Sequence, residues 1–255
     1  MKLTRQELFE FLEFKFNQYN QPSFIETDPV SIPHRFSRKE DIEIAGFLTA
    51  IISWGNRTSI LKDANRLIQM MDCSPYEFVL QSSDPDIKFL TNFYHRTFNG
   101  TDCIFFIKSL KNIYMHHGGL EPLFHDPEKK GLQSVLSRFR ELFLEIQHDP
   151  RSDKHIANPA AGSSAKRILM FLRWMVRADR QGVDFGIWKS VSPADLYCPI
   201  DVHSGNVARK LGLLQRQQND WKAAEELTSN LRQFDPYDPV KYDFALFGLG
   251  AFEKF

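Results

Sequence analysis

Apolar residues recur at helical spacing along most of the chain. Leu132, Val135, Leu136, Phe139, Phe143 and Ile146 follow the i, i+3, i+4, i+7 template, as do Ile60, Ala64, Leu67, Ile68 and Met71. Shorter faces of the same kind occur at Leu8, Phe11, Leu12 and Phe16 and at Phe106, Leu110, Ile113 and Tyr114. One stretch differs: IAGFLTAIISW (44–54) is apolar nearly all round, which predicts a central, buried helix. Helix starts are marked by chemistry as well. Thr4 with Glu7 and Ser37 with Glu40 fit the capping box, and Asp238-Pro239 offers a cap followed by proline at the first helical position. The stretches 20–36, 148–164 and 180–198 read as loops, and the last two bracket a helix that opens at Ser164 and carries AKRILMFLRWMVR. The fold class expected is all-α, with no internal repeat.

A chain of 255 residues suffices for one large domain or two modest lobes. It has no apolar run of about 18 residues, so no membrane partner is expected. The start, MKLTRQELFEFLEFKFNQYN, alternates charge with Phe and reads as neither signal peptide nor anchor. A soluble, cytoplasmic monomer is the expectation. Cys73, Cys103 and Cys198 lie too far apart for a CxxC pattern, which predicts buried thiols, no iron-sulfur cluster and no disulfide framework. His116, His117 and His125 have no carboxylate at metal-ligand spacing, so neither metal nor cofactor is expected. Net charge is zero, which by itself speaks against a nucleic-acid partner. The distribution says otherwise: between Arg151 and Arg216, eleven Lys and Arg face five Asp.

Within that basic segment lies CPIDVHSGNVARKLGLL (198–214). Asp201 there fits an N-cap, its carboxylate accepting from the free amides of a first helical turn, a role that requires no function. Lys166 sits in the first turn of the preceding helix, where the positive end of the helix field is unfavourable for a cation. The field and neighbouring Arg167 favour the neutral amine, which is a nucleophile toward carbon; an exposed lysine tolerating a small cost reads the same in sequence.

Four segments then resemble, in order, the helix-hairpin-helix (HhH-GPD) DNA glycosylase superfamily. FLTAIISWGNRTSILKDA (47–64) is similar to that family's first barrel helix and KRILMFLRWM (166–175) to the helix after its hairpin. PIDVHSGNVARKLGL (199–213) looks like its V-D-T-H-x-x-R-x-x-x-R-L-G-L signature, and DFALFGLG (243–250) its later H-x-x-L-I-x-x-G helix. The long separation of Lys166 from Asp201 resembles the archaeal 8-oxoguanine branch. The strings MFLRWMVR and DPVKYDFALFGLG are also similar to an uncharacterised bacterial family of conserved hypothetical proteins. The chain departs from the pattern at its hairpin, where ANPAAGSSAK (157–166) carries one glycine in place of L-P-G-V-G.

The resemblance implies a two-lobed helical fold with the cleft between lobes, one lobe at 37–178 ending in the Lys166 helix, the other at 1–36 plus 179–255 carrying Asp201. It implies a DNA glycosylase with AP-lyase activity on a damaged base such as 8-oxoguanine in duplex DNA. Lys166 would attack the sugar C1′ and Asp201 would stabilise the developing positive sugar or take the lysine proton. Gly162, Ser163, Ser164, Arg167, Arg173 and Arg209 would meet phosphates, with His203 beside them as a cap-region hydrogen-bond partner. Trp54, Asn56, Arg57, Trp174 and Phe247 would surround the flipped base, although in a chain with 23 Phe the aromatic members serve equally as core. The alternative is a non-catalytic nucleic-acid-binding or partner-binding module on the same fold.

Overall fold

The computed structural model describes residues 3–255 and realises the helical period along the chain. First come α1 (Arg5–Tyr19) and α2 (Pro22–Ile25), followed by α3 (Lys39–Ile51), α4 (Arg57–Met70), α5 (Pro75–Gln81), α6 (Asp84–Ile87), α7 (Gly100–His116) and α8 (Leu132–Phe143). The chain continues through α9 (Lys166–Val176), α10 (Val202–Lys210), α11 (Trp221–Leu231) and α12 (Asp243–Ala251). Among the described residues the only strands are β1 (Tyr94–His95) and β2 (Phe98–Asn99), a two-residue antiparallel pair. Short 3-10 turns and α2 occupy much of the stretches 20–36 and 148–164 that read as loops.

The chain forms two compact units, one of Thr27–Ala157 and one joining the segment up to Glu26 with Asn158–Phe255. The expected division, 37–178 against 1–36 plus 179–255, therefore misplaces α9. That helix groups with the C-terminal segment because Arg173 and Arg177 find their carboxylates there, on Asp184, Asp238 and Asp243.

In the unit Thr27–Ala157, α3 is central as its composition predicts, with every residue from Ile42 to Ile51 buried. Phe47 on this helix lies 6.1 Å from Phe106 of α7 and 5.9 and 5.4 Å from Phe139 and Phe143 of α8, an aromatic contact that closes the core. Glu43 enters that core because the Tyr114 hydroxyl donates to it at 2.6 Å and Lys39 stands 3.8 Å away, so its charge is not left unpaired. The start of α3 is not the expected capping box. The helix begins at Lys39, its N-cap Arg38 makes no side-chain cap bond, and Glu40 pairs with the Arg38 guanidinium at 3.1 Å. Cys103 and Cys198 are buried thiols as expected, but Cys73 is exposed.

In the other unit, α12 packs on both α1 and α10. Glycines make these approaches possible: a Cβ on Gly248 would fall 2.2 Å from the Tyr19 ring, and one on Gly250 would fall 3.0 Å from His203 Cβ. The Thr4–Glu7 box forms in both directions and starts α1. Asp238-Pro239 begins a 3-10 turn, not a capped α-helix, since the Asp238 carboxylate accepts from Arg177 Nε at 2.9 Å instead.

The closest approach of a glycine to other backbone lies at the start of α7, where a Cβ on Gly100 would stand 2.3 Å from the backbone of Thr91. Backbone cannot swing aside, so Gly100→Ala should destabilise the unit Thr27–Ala157 by about 1–3 kcal/mol or more, read as a lowered midpoint in urea unfolding with unchanged slope.

Candidate active site

Asp201 is the N-cap of α10. Its Oδ1 accepts from the amides of His203 at 2.9 Å and Ser204 at 3.0 Å, and Ser204 Oγ in turn accepts from the Asp201 amide at 2.9 Å. The second oxygen, Oδ2, faces Lys166 Nζ at 3.9 Å. The two oxygens of one carboxylate thus divide the work: one fixes the helix start, the other is left for the amine. Asn219 adds a strut by donating to the Asp201 carbonyl at 2.9 Å.

Lys166 is the first residue of α9, and Ala165 before it is a left-handed N-cap at φ 52 whose side chain makes no cap bond. No acidic side chain lies in the first turn of this helix, so the amine sits at the positive end of α9 with Asp201 as its ion-pair partner. Its stem runs along the helix to place Nζ 3.7 Å from Met170 Sδ. The side chains of Lys166 and Asp201 keep 27% and 29% of their surface exposed, so a dissolved ligand can reach both.

The loop before α9 is shaped by Gly162, which adopts φ +89 after the 3-10 turn Pro159–Ala161, a conformation that strains any residue with a Cβ. Ser163 Oγ accepts from the Ala165 amide at 3.2 Å, and the Gly162 carbonyl accepts from the Trp221 amide at 3.2 Å, tying the loop to the start of α11. Gly162 and Ser163 are exposed and Ser164 is half-buried. Arg167 is half-buried, and burial lowers its guanidinium pKa to about 10, still charged at neutral pH.

Two expected phosphate contacts are occupied by the protein itself. Arg173 is buried, bound through Nη1 to Asp243 and lying 3.3 Å from Asp184, with its guanidinium 4.2 Å from the Phe244 ring centroid. Arg209 donates to the carbonyls of Arg216 and Gln217, both at 2.8 Å, and to Asn219, closing the turn after α10. His203 is exposed, and its amide, not its ring, is what meets Asp201.

Of the aromatic candidates, Trp174 is fully buried and belongs to the core. Phe247 is half-buried, edge-on to Phe24 and Phe252. In the unit Thr27–Ala157, half-buried Trp54 lies 6.0 Å from His155 in a stacked arrangement and edge-on to His95 at 5.1 Å. Asn56 caps α4 by accepting from Thr58 at 2.9 Å and Ser59 at 3.3 Å, and Arg57 stands 3.9 Å from Asp28.

Sequence inspection missed Asp243, Asp184 and Arg177. Asp243, the first residue of α12, is 7% exposed; burial pushes its carboxyl up to about 6 against the pull of Arg173 and Lys166, with Asp201 and Asp184 adding to the rise. Arg177 holds Asp179, Asp184 at 3.2 Å and Asp238 at 2.9 Å. The available signal was spacing: Lys166, Met170, Arg173 and Arg177 fall at i, i+4, i+7 and i+11, one face of a helix.

A family model described as a protein of unknown function, DUF2400, matches residues 28–252 of the chain. No curated protein and no solved structure matches it.

Asp243 makes stability depend on pH in a definite direction. Its folded-state pKa of about 6 lies above the ordinary 3.8, so its contribution is fully present below pH about 3.8 and is lost as pH rises through about 6. The stability of wild type relative to Asp243→Asn should therefore fall by on the order of 3 kcal/mol between pH 4 and pH 7. Parallel thermal melts across that window measure it, and a difference that stays flat would contradict the assignment.

Proposed function

Because the chain belongs to this family of unknown function, DUF2400, we propose from the chemistry of its site that it is a base-excision DNA glycosylase with AP-lyase activity. Its fold would follow the helix-hairpin-helix glycosylase plan, and its substrate would be duplex DNA carrying a damaged base such as 8-oxoguanine. The observation that carries this reading is the pair itself. A lysine amine and an aspartate oxygen, 35 residues apart in sequence, stand 3.9 Å apart at the starts of two helices, both open to solvent.

In this mechanism Lys166 gives up a proton, to Asp201 or to water, and its Nζ attacks C1′ of the flipped nucleotide. The N-glycosidic bond breaks and the base leaves with the bonding electrons. Asp201 Oδ2 faces the positive charge that develops on the sugar, while Oδ1 stays fixed by the amides of α10 and needs no reorganisation. Ring opening yields a Schiff base, and loss of a C2′ proton expels the 3′ phosphate. Gly162, Ser163, Ser164 and Arg167, around the start of α9, would meet phosphate, whereas Arg173 is bound to Asp243 and Arg209 closes the turn after α10. Phe247, in the same unit as Lys166, retains surface for a stacked base; Trp174 does not.

Borohydride reduction on duplexes bearing an abasic site or 8-oxoguanine tests the proposal. A covalent adduct is expected with wild type and none with Lys166→Gln, while Asp201→Asn should slow trapping by about 10²-fold or more. Absence of adduct on every duplex, where a control lyase traps, overturns it. Salt-sensitive duplex binding that survives both substitutions without adduct would instead establish the non-catalytic binding module.

A further inference from the structure

We infer that the turn joining α10 to α11 reads base edges in the major groove beside the reacting nucleotide, with adenine the base its glutamines recognise. This rests on duplex DNA being the substrate of the proposed glycosylase. Gln215, Arg216, Gln217, Gln218, Lys222 and Glu226 line an open cavity of about 600 Å³ on this turn. The turn joins the Lys166–Asp201 site at two places. Asn219 donates to the Asp201 carbonyl at 2.9 Å, and the Trp221 amide donates at 3.2 Å to the Gly162 carbonyl in the loop before α9, where Ser163 is bridged to Asp220. DNA that extends from the site on this side meets the cavity.

The backbone of the turn is fixed without a ligand. Arg209 donates to the carbonyls of Arg216 and Gln217, both at 2.8 Å, and the amides of Gln215 and Arg216 donate to Glu226 at 2.6 and 3.4 Å. Gly205 of α10 admits this bracing, since a Cβ there would fall 2.7 Å from Asn219 Oδ1 and 3.0 Å from Arg209 Nη1. The charges largely compensate one another. Arg216 Nε donates to Asp220 Oδ1 at 2.7 Å, and Asp220 also caps α11 by accepting from the Ala223 amide at 3.1 Å. Gln215, Gln217, Gln218 and Lys222 are exposed. Gln218 Oε1 accepts from Arg216 at 2.9 Å and Gln217 Nε2 donates to the Gln215 carbonyl at 3.0 Å, so Gln218 still presents a donor and Gln217 an acceptor. Such a mixture of amide donors and acceptors around a single open cation suits a base edge better than a phosphate. A primary amide complements the N7 acceptor and N6 donor that adenine presents side by side in the major groove. Lys222, at the rim, meets the adjoining backbone phosphate.

Affinity in a fixed register tests the inference apart from chemistry. Duplexes carry a tetrahydrofuran abasic analogue, which sets the register and forms no Schiff base, and the flanking base pairs are varied one at a time. Fluorescence anisotropy should show wild type favouring adenine at one flanking position by about 5-fold or more. Gln215→Ala, Gln217→Ala and Gln218→Ala combined should erase that preference. Lys222→Ala should weaken every duplex alike and lower the slope of log affinity against log salt by about 1. A turn that only supports the fold would, when altered, lower affinity on all sequences without flattening the preference. A wild type that binds no duplex or ignores flanking sequence, a preference for another base, or a preference that survives the triple substitution overturns the inference. Borohydride trapping on abasic and 8-oxoguanine duplexes is read in parallel. Adducts without base preference sink the inference alone, whereas adenine preference without any adduct sinks the glycosylase reading and leaves the inference standing.

Discussion

The row of ion pairs along α9 is the constraint on which the unit containing Asn158–Phe255 depends. Buried charge is costly to desolvate, and a buried pair contributes little net stability compared with well-packed apolar groups. What it does enforce is position, because removing one partner strands the other and costs about 3–5 kcal/mol. Arg173 and Arg177 accept only arrangements in which Asp184, Asp238 and Asp243 arrive together, with the Phe244 ring 4.2 Å from the Arg173 guanidinium and the Phe16 ring 5.1 Å from that of Arg177. The loop after α9, the 3-10 turn before α12 and α12 itself are thereby registered against a single helix. Lys166 lies on the same face and inherits that registration at its exposed end.

Asp201 shows how a local rule and a functional geometry coincide. Capping consumes Oδ1 and orients the carboxylate; the remaining oxygen is held toward the amine without a dedicated support. A cap can therefore serve as a pre-organised anion, since the first-turn amides that it satisfies also favour its charge. The surrounding residues that resemble phosphate binders are what hold this arrangement: Arg209 and Asn219 brace the turn after α10 and the Asp201 carbonyl. The basic excess between Arg151 and Arg216 is accordingly smaller at the surface than along the chain. Part of it is neutralised by Asp238 and Asp243, which lie beyond that window.

Much of this protein was determined by the sequence alone. Helical period fixed the long helices, all-round apolarity placed α3 at a core, and the Thr4 and Asp201 caps were legible because capping is a contact among neighbours in the chain. The pairing of Lys166 with Asp201 was an expectation drawn from segment order, and its 3.9 Å separation is a tertiary fact. Tertiary structure alone decided where α9 belongs, that Arg173 and Trp174 are interior, that Ser37 does not cap α3, and that Asp243 shares the field of the site. The physical reason is range. Periodicity and caps are set by residues three or four apart, whereas the fate of a charge depends on which distant carboxylate is buried beside it, and a linear window holds no information about that partner.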